Sequence, residues 1–581
     1  MHAKNVVDDQ IKPLNPGDVS LHGVLGDNLK LSVKNRLKKV DYAHLVEPFR
    51  LRNERDGRWR CEFWGKIVRS AILSWRDQPD DGLLTIIKNT VKDIISTQSS
   101  DGCISTYPYE LQTQDWDIWG RKYVLLGLAR YYLEISPDEM VKNAMILQLD
   151  YLMTQVGPDI KNITACGHHN GMAASSILEP VVLTYRITGE KRFLDYALWI
   201  VEQGGSTVNN IFDAVKAGVP PKDLSNGKAY EMMSCFEGLA ELYRTTGKVE
   251  CLDSVLALYR AVRDQEIFIT GVGGLKDEAG EYWNDGKIRQ TQFNVGGLGE
   301  TCVTTTWIKL CGQVLRLTGD SGVADEMERS LYNGILGAMV PDGSWWIHIN
   351  PTPLAGAAVK RRAADQISGF GEDCCLAQGP KALAMAPYLA VMQHDAGPVI
   401  NLYEAATAKI KLPDGTSTTL VINGDFPRTP NVDITVKLSG NPHFAIRLRM
   451  PGWSRNTRVH VNQQEYQGTP GSYLIIERDW MPGDVIRLEF DLSIRVVPAP
   501  DGGDRMAIMR GPVVLAQDSR LGAVDVPITS QAGKMIKSPD DIYLACQLED
   551  GTALCDYASA GNQFSEENFF CVWMKRKQAL R

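Results

Sequence analysis

The stretch GFGEDCCLAQGP, residues 369–380, sets Cys374 and Cys375 side by side, next to Glu372 and Asp373. Adjacent thiols rarely serve packing, because neighbouring side chains leave the backbone in different directions. Three readings are open: a strained vicinal disulfide, a shared metal, or a coincidence. A second stretch, FNVGGLGETCVTTTWIKLCGQVLRL, brings Glu300 and Cys302. A helix is predicted to start near Thr301, and residues i and i+2 of one helix point to different faces. Glu300 therefore meets Cys302 only from a loop ahead of the helix, a geometry that the preceding glycines permit. With Cys374 and Cys375 this makes one carboxylate and three thiols. Zinc accepts such donors in a tetrahedron, with Zn–S bonds of ~2.3 Å. The spacing matches no zinc finger. On spacing alone, buried helix residues beside a coincidental Cys-Cys pair outweigh the metal.

These residues need a scaffold, and the chain has two textures. Up to about residue 395 it reads helical. The phrases LTYRITGEKRFLDYALWIVEQ, ELYRTTGKVECLDSVLALYRAV and QVLRLTGDSGVADEMERSLYNGIL share one plan. Each has an amphipathic run, a Thr-Gly stop, a polar turn and a second amphipathic run. Gly189, Gly247 and Gly319 suit a left-handed C-cap and lie 58 and 72 residues apart. LLGLARYYLEISPDEMVKNAMILQLDYL is a degenerate copy without the glycine. Repeated helical hairpins stack as a solenoid or close into a ring. The uneven spacing and the long glycine-rich insertions favour a closed (α/α) toroid, with the insertions building a site at one end. Beyond residue 395, segments such as VDITVKLSG, FAIRLRMPGW and TRVHVNQQEY alternate apolar and polar residues between Gly, Pro, Asn and Asp, as antiparallel β-sandwiches do. The expected layout is a barrel over 1–395, whose first segment is free to pair with a sandwich, a β-sandwich over 396–505, and a second β-rich domain or extension over 506–581.

Composition narrows the function classes. A chain of 581 residues exceeds one hydrophobic core. A net charge of −8 and the lack of a long basic run argue against nucleic acid, and no apolar stretch is long enough for a membrane span. Twelve cysteines are too sparse for a disulfide scaffold, and Cys61, Cys103, Cys166, Cys235, Cys251 and Cys311 read as core. The segment MHAKNVVDDQIKPLNPGD has no apolar signal core. A removed signal would leave the same sequence, so a cytoplasmic or a periplasmic location is open.

Together, GETC, ERSLYNGILGAMVPDGSWWIHINP and GFGEDCC resemble glycoside hydrolase family 127, the β-L-arabinofuranosidase family. DGCISTYPYE with WDIWGRKYVLLGLARYY, and FAIRLRMPGWS, are also similar to family segments, and the likeness runs from about residue 20 to about 515. It implies an (α/α)6 barrel followed by antiparallel β-sandwich domains, and a zinc held by Glu300, Cys302, Cys374 and Cys375. It implies a retaining mechanism in which Cys374 is the nucleophile and forms a thioglycosyl intermediate, while Cys375 only holds the metal. Zinc keeps a thiol deprotonated at neutral pH. The acid/base implied is Glu281 of EAGEYWNDG, 19 residues before Glu300, with Glu278 and Asp285 as nearby substitutes. The implied activity is that of a zinc-dependent exo-glycosidase acting on an oligosaccharide.

The sugar shell departs from the family. Lys122 of WGRKY and Glu237 of SCFEGL fall where the family has histidine, and His348 of WWIHINP where it has tyrosine. His168 and His169 of CGHHNGM are sugar contacts or part of a solvated turn. Arg121 and Lys122 either receive the carboxylate of an acidic sugar, or lie on the surface and snorkel. Trp64, Trp116, Trp119, Trp283, Trp345 and Trp346 crowd the helical half, and one or two of them, Trp119 included, are expected at the cleft. Asp115 and Asp117 are an inverting carboxylate pair or, the preferred reading, helix caps. The substituted shell predicts weak or absent activity on simple β-L-arabinofuranosides and better activity on a branched, modified or acidic L-sugar. Two rival functions stand beside this one. One is an inverting hydrolase or lyase with a purely structural zinc. The other is a non-catalytic carbohydrate-binding relative.

Overall fold

In the computed structural model, each Thr-Gly phrase ends a helix. Gly189, Gly247 and Gly319 take φ of 75°, 71° and 63° and donate their N–H groups to Tyr185, Tyr243 and Leu315. They close the helices Leu178–Thr188, Ala229–Thr246 and Thr301–Thr318. A polar turn then leads to Lys191–Glu202, Val249–Gln265 and Ser321–Ser330. The degenerate phrase forms Asp117–Glu134 and Glu139–Gln155, and Phe63–Asp77 with Asp81–Ile95 is one more pair. The structure describes residues 4–55, 57–275, 280–292, 296–355, 370–529, 532–565 and 567–576.

The first helix of a pair is buried almost all round, as Thr301–Thr318 shows. The second buries one stripe, such as Cys251, Val255, Leu258 and Val262 of Val249–Gln265, at spacings of three and four. First helices therefore go inside and second helices outside. Phe63–Asp77, Asp117–Glu134, Leu178–Thr188, Ala229–Thr246, Thr301–Thr318 and Cys374–Ala390 pack each on the next, and the last packs back on the first. The ring closes as an (α/α)6 barrel rather than running on as a solenoid.

Two sheets form the sandwich. One has five strands in the order Lys12–Pro13, Val391–His394, Gly397–Ile400, His443–Met450, Ser472–Asp479. The other has seven, with Asn431–Lys437, Ser417–Asn423, Ala406–Lys411 and Val19–Leu21 adjacent along it. Alternation decides the buried face, as in Ala406–Lys411, where every second residue is buried. Two short N-terminal strands thus complete the sandwich. A third sheet begins with Ile494–Pro498, which pairs with Arg505–Arg510, so its first strand precedes residue 506. This sheet braces the barrel mouth. Tyr557 Oη donates to Asn350 Oδ1 (2.8 Å) and Pro351 O (2.7 Å). No described helix is long and apolar enough to cross a membrane.

Candidate active site

The barrel mouth brings the two Cys-bearing segments together. Gly297–Glu300 is a strand, antiparallel to Ile349–Thr352, with Glu300 opposite Ile349. Glu300 is also the N-cap residue of Thr301–Thr318, at φ −100° and ψ 138°. The sequence predicted a loop there; pairing with the 349–352 strand extends it instead. Glu300 still stands outside the helix and Cys302 inside its first turn. Cys374 and Cys375 open the helix Cys374–Ala390, where Asp373 Oδ1 caps the Cys375 N–H at 2.8 Å. A helix N-terminus favours thiolates.

Cys374 and Cys375 Sγ are 3.8 Å apart, too far for an S–S bond of ~2.05 Å. A zinc tetrahedron with Zn–S bonds of ~2.3 Å sets its sulfurs about 3.8 Å apart. Glu300 Oε1 lies 3.8 Å from Cys374 Sγ and 3.5 Å from Cys375 Sγ. Donor atoms of Glu300, His348, Cys374 and Cys375 all fall within 4.8 Å of one another. Cys302 is outside that mutual set, yet it touches both vicinal thiols.

The donors stand close enough to oppose one another's charge. Burial pushes the Cys375 thiol well up, and contact with Cys302 and Cys374 adds to this. Contact with Cys302 likewise raises Cys374. Burial, then the Glu281 and Cys374 charges, raise Glu300. Burial opposes the Cys302 thiolate, but Cys374, Cys375 and the Lys66 ammonium outweigh it and lower its pKa. Glu300 Oε2 is buried without a hydrogen-bond partner. Anionic donors at this density, with an orphaned carboxylate oxygen, fit a zinc ion.

A cavity of about 330 Å³ opens over Cys374. Cys374 is the one cluster thiol on its wall, while Cys302 and Cys375 are fully buried. Glu281, Glu300, His348, His169 and Trp119 line it, five of the residues predicted from sequence. Glu281 Oε2 pairs with Lys228 Nζ, and Oε1 lies 3.4 Å from His348 Nε2. Burial pushes Glu281 up, but His348 and Lys228 outweigh it and hold the carboxyl near 2. His348 also lies 3.7 Å from Glu300 and 3.7 Å from Asp373, so it stands in the candidate metal cluster as well as on the cavity wall.

Several predicted sugar contacts lie elsewhere. Lys122 is buried below the cavity, its Nζ 3.8 Å from the centre of the Trp119 ring and without a hydrogen-bond partner. Glu237 is buried in a pair with Lys309, which also holds Glu179 at 2.5 Å. Both residues are too deep on the inner helices to reach the cavity wall. His168 is at the rim, 40% exposed, its ring tilted against Trp116 with centroids 4.7 Å apart, and 3.5 Å from Asp115. Arg121 is neither on the surface nor free for a carboxylate, because Asp117 holds it at 2.8 Å and Gln155 at 2.7 Å. Asp117 also takes the Ser105 hydroxyl and the Thr113 N–H, which removes it from any inverting pair. It is the first helical residue rather than the cap, and Trp116 holds the N-cap position without a side-chain bond. Trp64, Trp283 and Trp346 are core. Asp285 pairs with Lys222 at 2.6 Å, and Glu278 lies outside the described residues.

The wall also holds Glu62, Lys66, Lys228, Glu231 and Tyr230, which the sequence reading missed. One signal was available. Glu62 and Lys66 stand four apart, the spacing of an ion pair on one helix face, and they pair at 2.8 Å with Lys66 fully buried. Lys66 Nζ is also 3.8 Å from Cys302 Sγ.

Comparison with known proteins now decides the lineage. Residues 26–387 match the β-L-arabinofuranosidase GH127 catalytic-domain model, and 398–492 match the GH127 middle-domain model. The chain belongs to glycoside hydrolase family 127. The catalytic match spans every residue of the cluster and the cavity wall named above. Among relatives, the non-reducing end β-L-arabinofuranosidase of Bifidobacterium longum subsp. longum is 23% identical over 516 residues, 78% of this chain and 76% of that protein. A solved GH127 β-arabinofuranosidase superposes with a TM-score of 0.80 at 18% identity, covering 98% of each chain. The GH127 β-L-arabinofuranosidase of Geobacillus stearothermophilus T6 gives 0.75 at 17%, covering 96% of this chain and all of that one. At such identities the structural likeness speaks for the fold.

Proposed function

We propose that this glycoside hydrolase is a retaining, zinc-dependent exo-glycosidase of β-L-arabinofuranosidase type, with Cys374 as nucleophile and Glu281 as acid/base. One observation carries the reading: of three clustered thiols, Cys374 alone faces the cavity, and Glu281 shares its wall. Cys302, Cys375 and Glu300 are its partners in holding the metal, and His348 is the further donor beside them. Bound zinc would keep these thiols deprotonated. The Cys374 thiolate attacks the anomeric carbon as the glycosidic C–O bond breaks, and Glu281 gives its proton to the departing oxygen. In the second half Glu281 takes a proton from water, the water oxygen attacks the same carbon, and the C–S bond breaks to return the thiolate. The Lys228 and His348 contacts hold resting Glu281 ionised, as this second half requires. Protonation for the first half needs Lys228 to release it.

Among the described residues of the wall, no lysine is left unpaired for an acidic sugar to meet. Lys66 is engaged by Glu62 and Lys228 by Glu281. Glu62, Glu231, Glu281 and Glu300 add four carboxylates to the wall, so the cavity suits a neutral sugar. The inverting alternative loses its pair, since Asp117 is committed to Arg121, Ser105 and Thr113.

Cys374→Ser tests the reading. Turnover should vanish while the fold survives, and proton NMR of the wild-type reaction should show retained anomeric configuration. Inverted product, or a variant within about tenfold of wild type, would defeat it. A variant that mainly unfolds would instead favour a purely structural zinc.

A further inference from the structure

One carboxylate in the cavity has no part in the chemistry above. Glu231 is 2% exposed and lines the wall. Its side chain makes no hydrogen bond among the described residues, and Oε2 is buried without a partner. His169 Nε2 lies 4.0 Å from Oε1, and the Lys228 ammonium, though paired with Glu281, also feels the Glu231 charge. The other acids of the wall are committed: Glu62 to Lys66 and Trp119, Glu281 to Lys228, and Glu300 to the cluster. A buried carboxylate without donors is costly, and a fold that keeps one leaves room for a ligand to supply them.

Helix capping does not explain it. Glu231 is the third residue of Ala229–Thr246, where a glutamate commonly reaches back to the N-cap N–H. Here that N–H, of Lys228, goes to Asn226 Oδ1 at 3.3 Å. The Lys228 ammonium turns to Glu281. His169 is held in place beside it. Its loop runs through left-handed backbone at His169 (φ 56°), Asn170 (55°) and Gly171 (88°), a strained path for the first two. Asn226 Nδ2 donates to His169 Nδ1 at 3.2 Å, which leaves the ring proton on Nε2, the nitrogen nearer Glu231. The Trp116 ring, also on the wall, is centred 5.4 Å from the His169 ring.

We propose that Glu231 and His169 determine specificity by reading two adjacent hydroxyls of the non-reducing-end sugar. The Glu231 carboxylate accepts both hydroxyl protons, His169 Nε2–H donates to one of the two oxygens, and Trp116 covers the sugar face. This rests on the cavity being the glycosidase site and adds a substrate class: a neutral sugar with a free vicinal diol. A carboxylate or sulfate at those positions meets like charge, and an acyl group removes the proton that Glu231 needs.

The probes are 4-nitrophenyl β-L-arabinofuranoside and its 2-, 3- and 5-deoxy analogues, with each kcat/KM normalised to the uncatalysed hydrolysis of the same compound. On the wild type, at least one deoxygenation should cost about ten- to a hundredfold, the worth of a hydrogen bond to a buried charge. In Glu231→Gln the same deletion should cost less than about threefold. The wild-type series alone tests the contact should the variant fail to fold. Deoxy penalties all below about threefold, or equal penalties in wild type and variant, overturn the assignment and leave the glycosidase reading standing. A wild type inert toward the whole series removes the β-L-arabinofuranosidase type from the proposed function, and the proposal falls with it.

Discussion

Glu281 stands between two groups that hold its charge, Lys228 at Oε2 and His348 3.4 Å from Oε1. An acid/base residue matters most where the leaving oxygen is basic, because a poor leaving group cannot depart without a proton. Glu281→Gln should therefore retain about one zinc per chain and a native circular dichroism spectrum. It should lose most turnover on alkyl glycosides and oligosaccharides, and much less in the first step with activated aryl glycosides. Equal, small effects on both substrate types would take Glu281 out of the role. Cys302 belongs to the same scale. Its thiolate is favoured by a Lys66 ammonium that is itself buried and tied to Glu62, so the cluster brings part of its charge compensation from the protein.

The inner helices carry charge where a barrel usually carries hydrocarbon. Lys309 bridges Glu179 and Glu237, and Lys122 lies next to that network with an unpartnered Nζ under Trp119. Burial lowers the Lys122 pKa to about 7, against the weaker pull of Glu237. An unfolded chain binds this proton up to the usual lysine range near ~10.4, and the folded one only below about 7. Folding therefore forfeits the proton between those values, and stability falls as pH drops from about 10 to about 7, then levels off. Lys122→Met should remove that loss. The variant should be more stable than wild type by on the order of a few kcal/mol at pH 7, and the gain should shrink toward pH 10. Denaturant unfolding at the two pH values measures this, and a destabilised variant at pH 7 would mean that the ammonium is satisfied by its neighbours.

At the scale of the molecule, the β-rich half acts on the site through one strand. Ile349–Thr352 pairs with Gly297–Glu300 on one side and receives Tyr557 from the third sheet on the other. His348 directly precedes this strand, and its carbonyl accepts the Thr301 N–H at 3.0 Å. The C-terminal sheet thereby stiffens the segment that sets Glu300 and His348 against the thiols. Tyr557→Phe removes the hydroxyl that donates to the buried Asn350 and Pro351 oxygens. It should cost about 1–3 kcal/mol, seen as a lower melting temperature. An unchanged melt would show that the third sheet merely adjoins the barrel.

What was legible in the sequence was what local chemistry determines. Thr-Gly stops, 3.6-residue stripes and two-residue alternation depend on neighbours in the chain, so the barrel helices and sandwich strands could be read without a structure. The donor types at Glu300, Cys302, Cys374 and Cys375 were legible for the same reason, and the family resemblance supplied their common purpose. Depth was not legible. Trp119 and Lys122 are three apart on one helix face, yet only Trp119 reaches the cavity while Lys122 lies under its ring. Glu231 and Glu237 share a helix and differ by about 9 Å along its axis, which separates a cavity-lining carboxylate from a core ion pair. Periodicity gives the face a residue occupies. The height at which six inner helices end, and so which turn meets the cavity, is decided only when the ring closes.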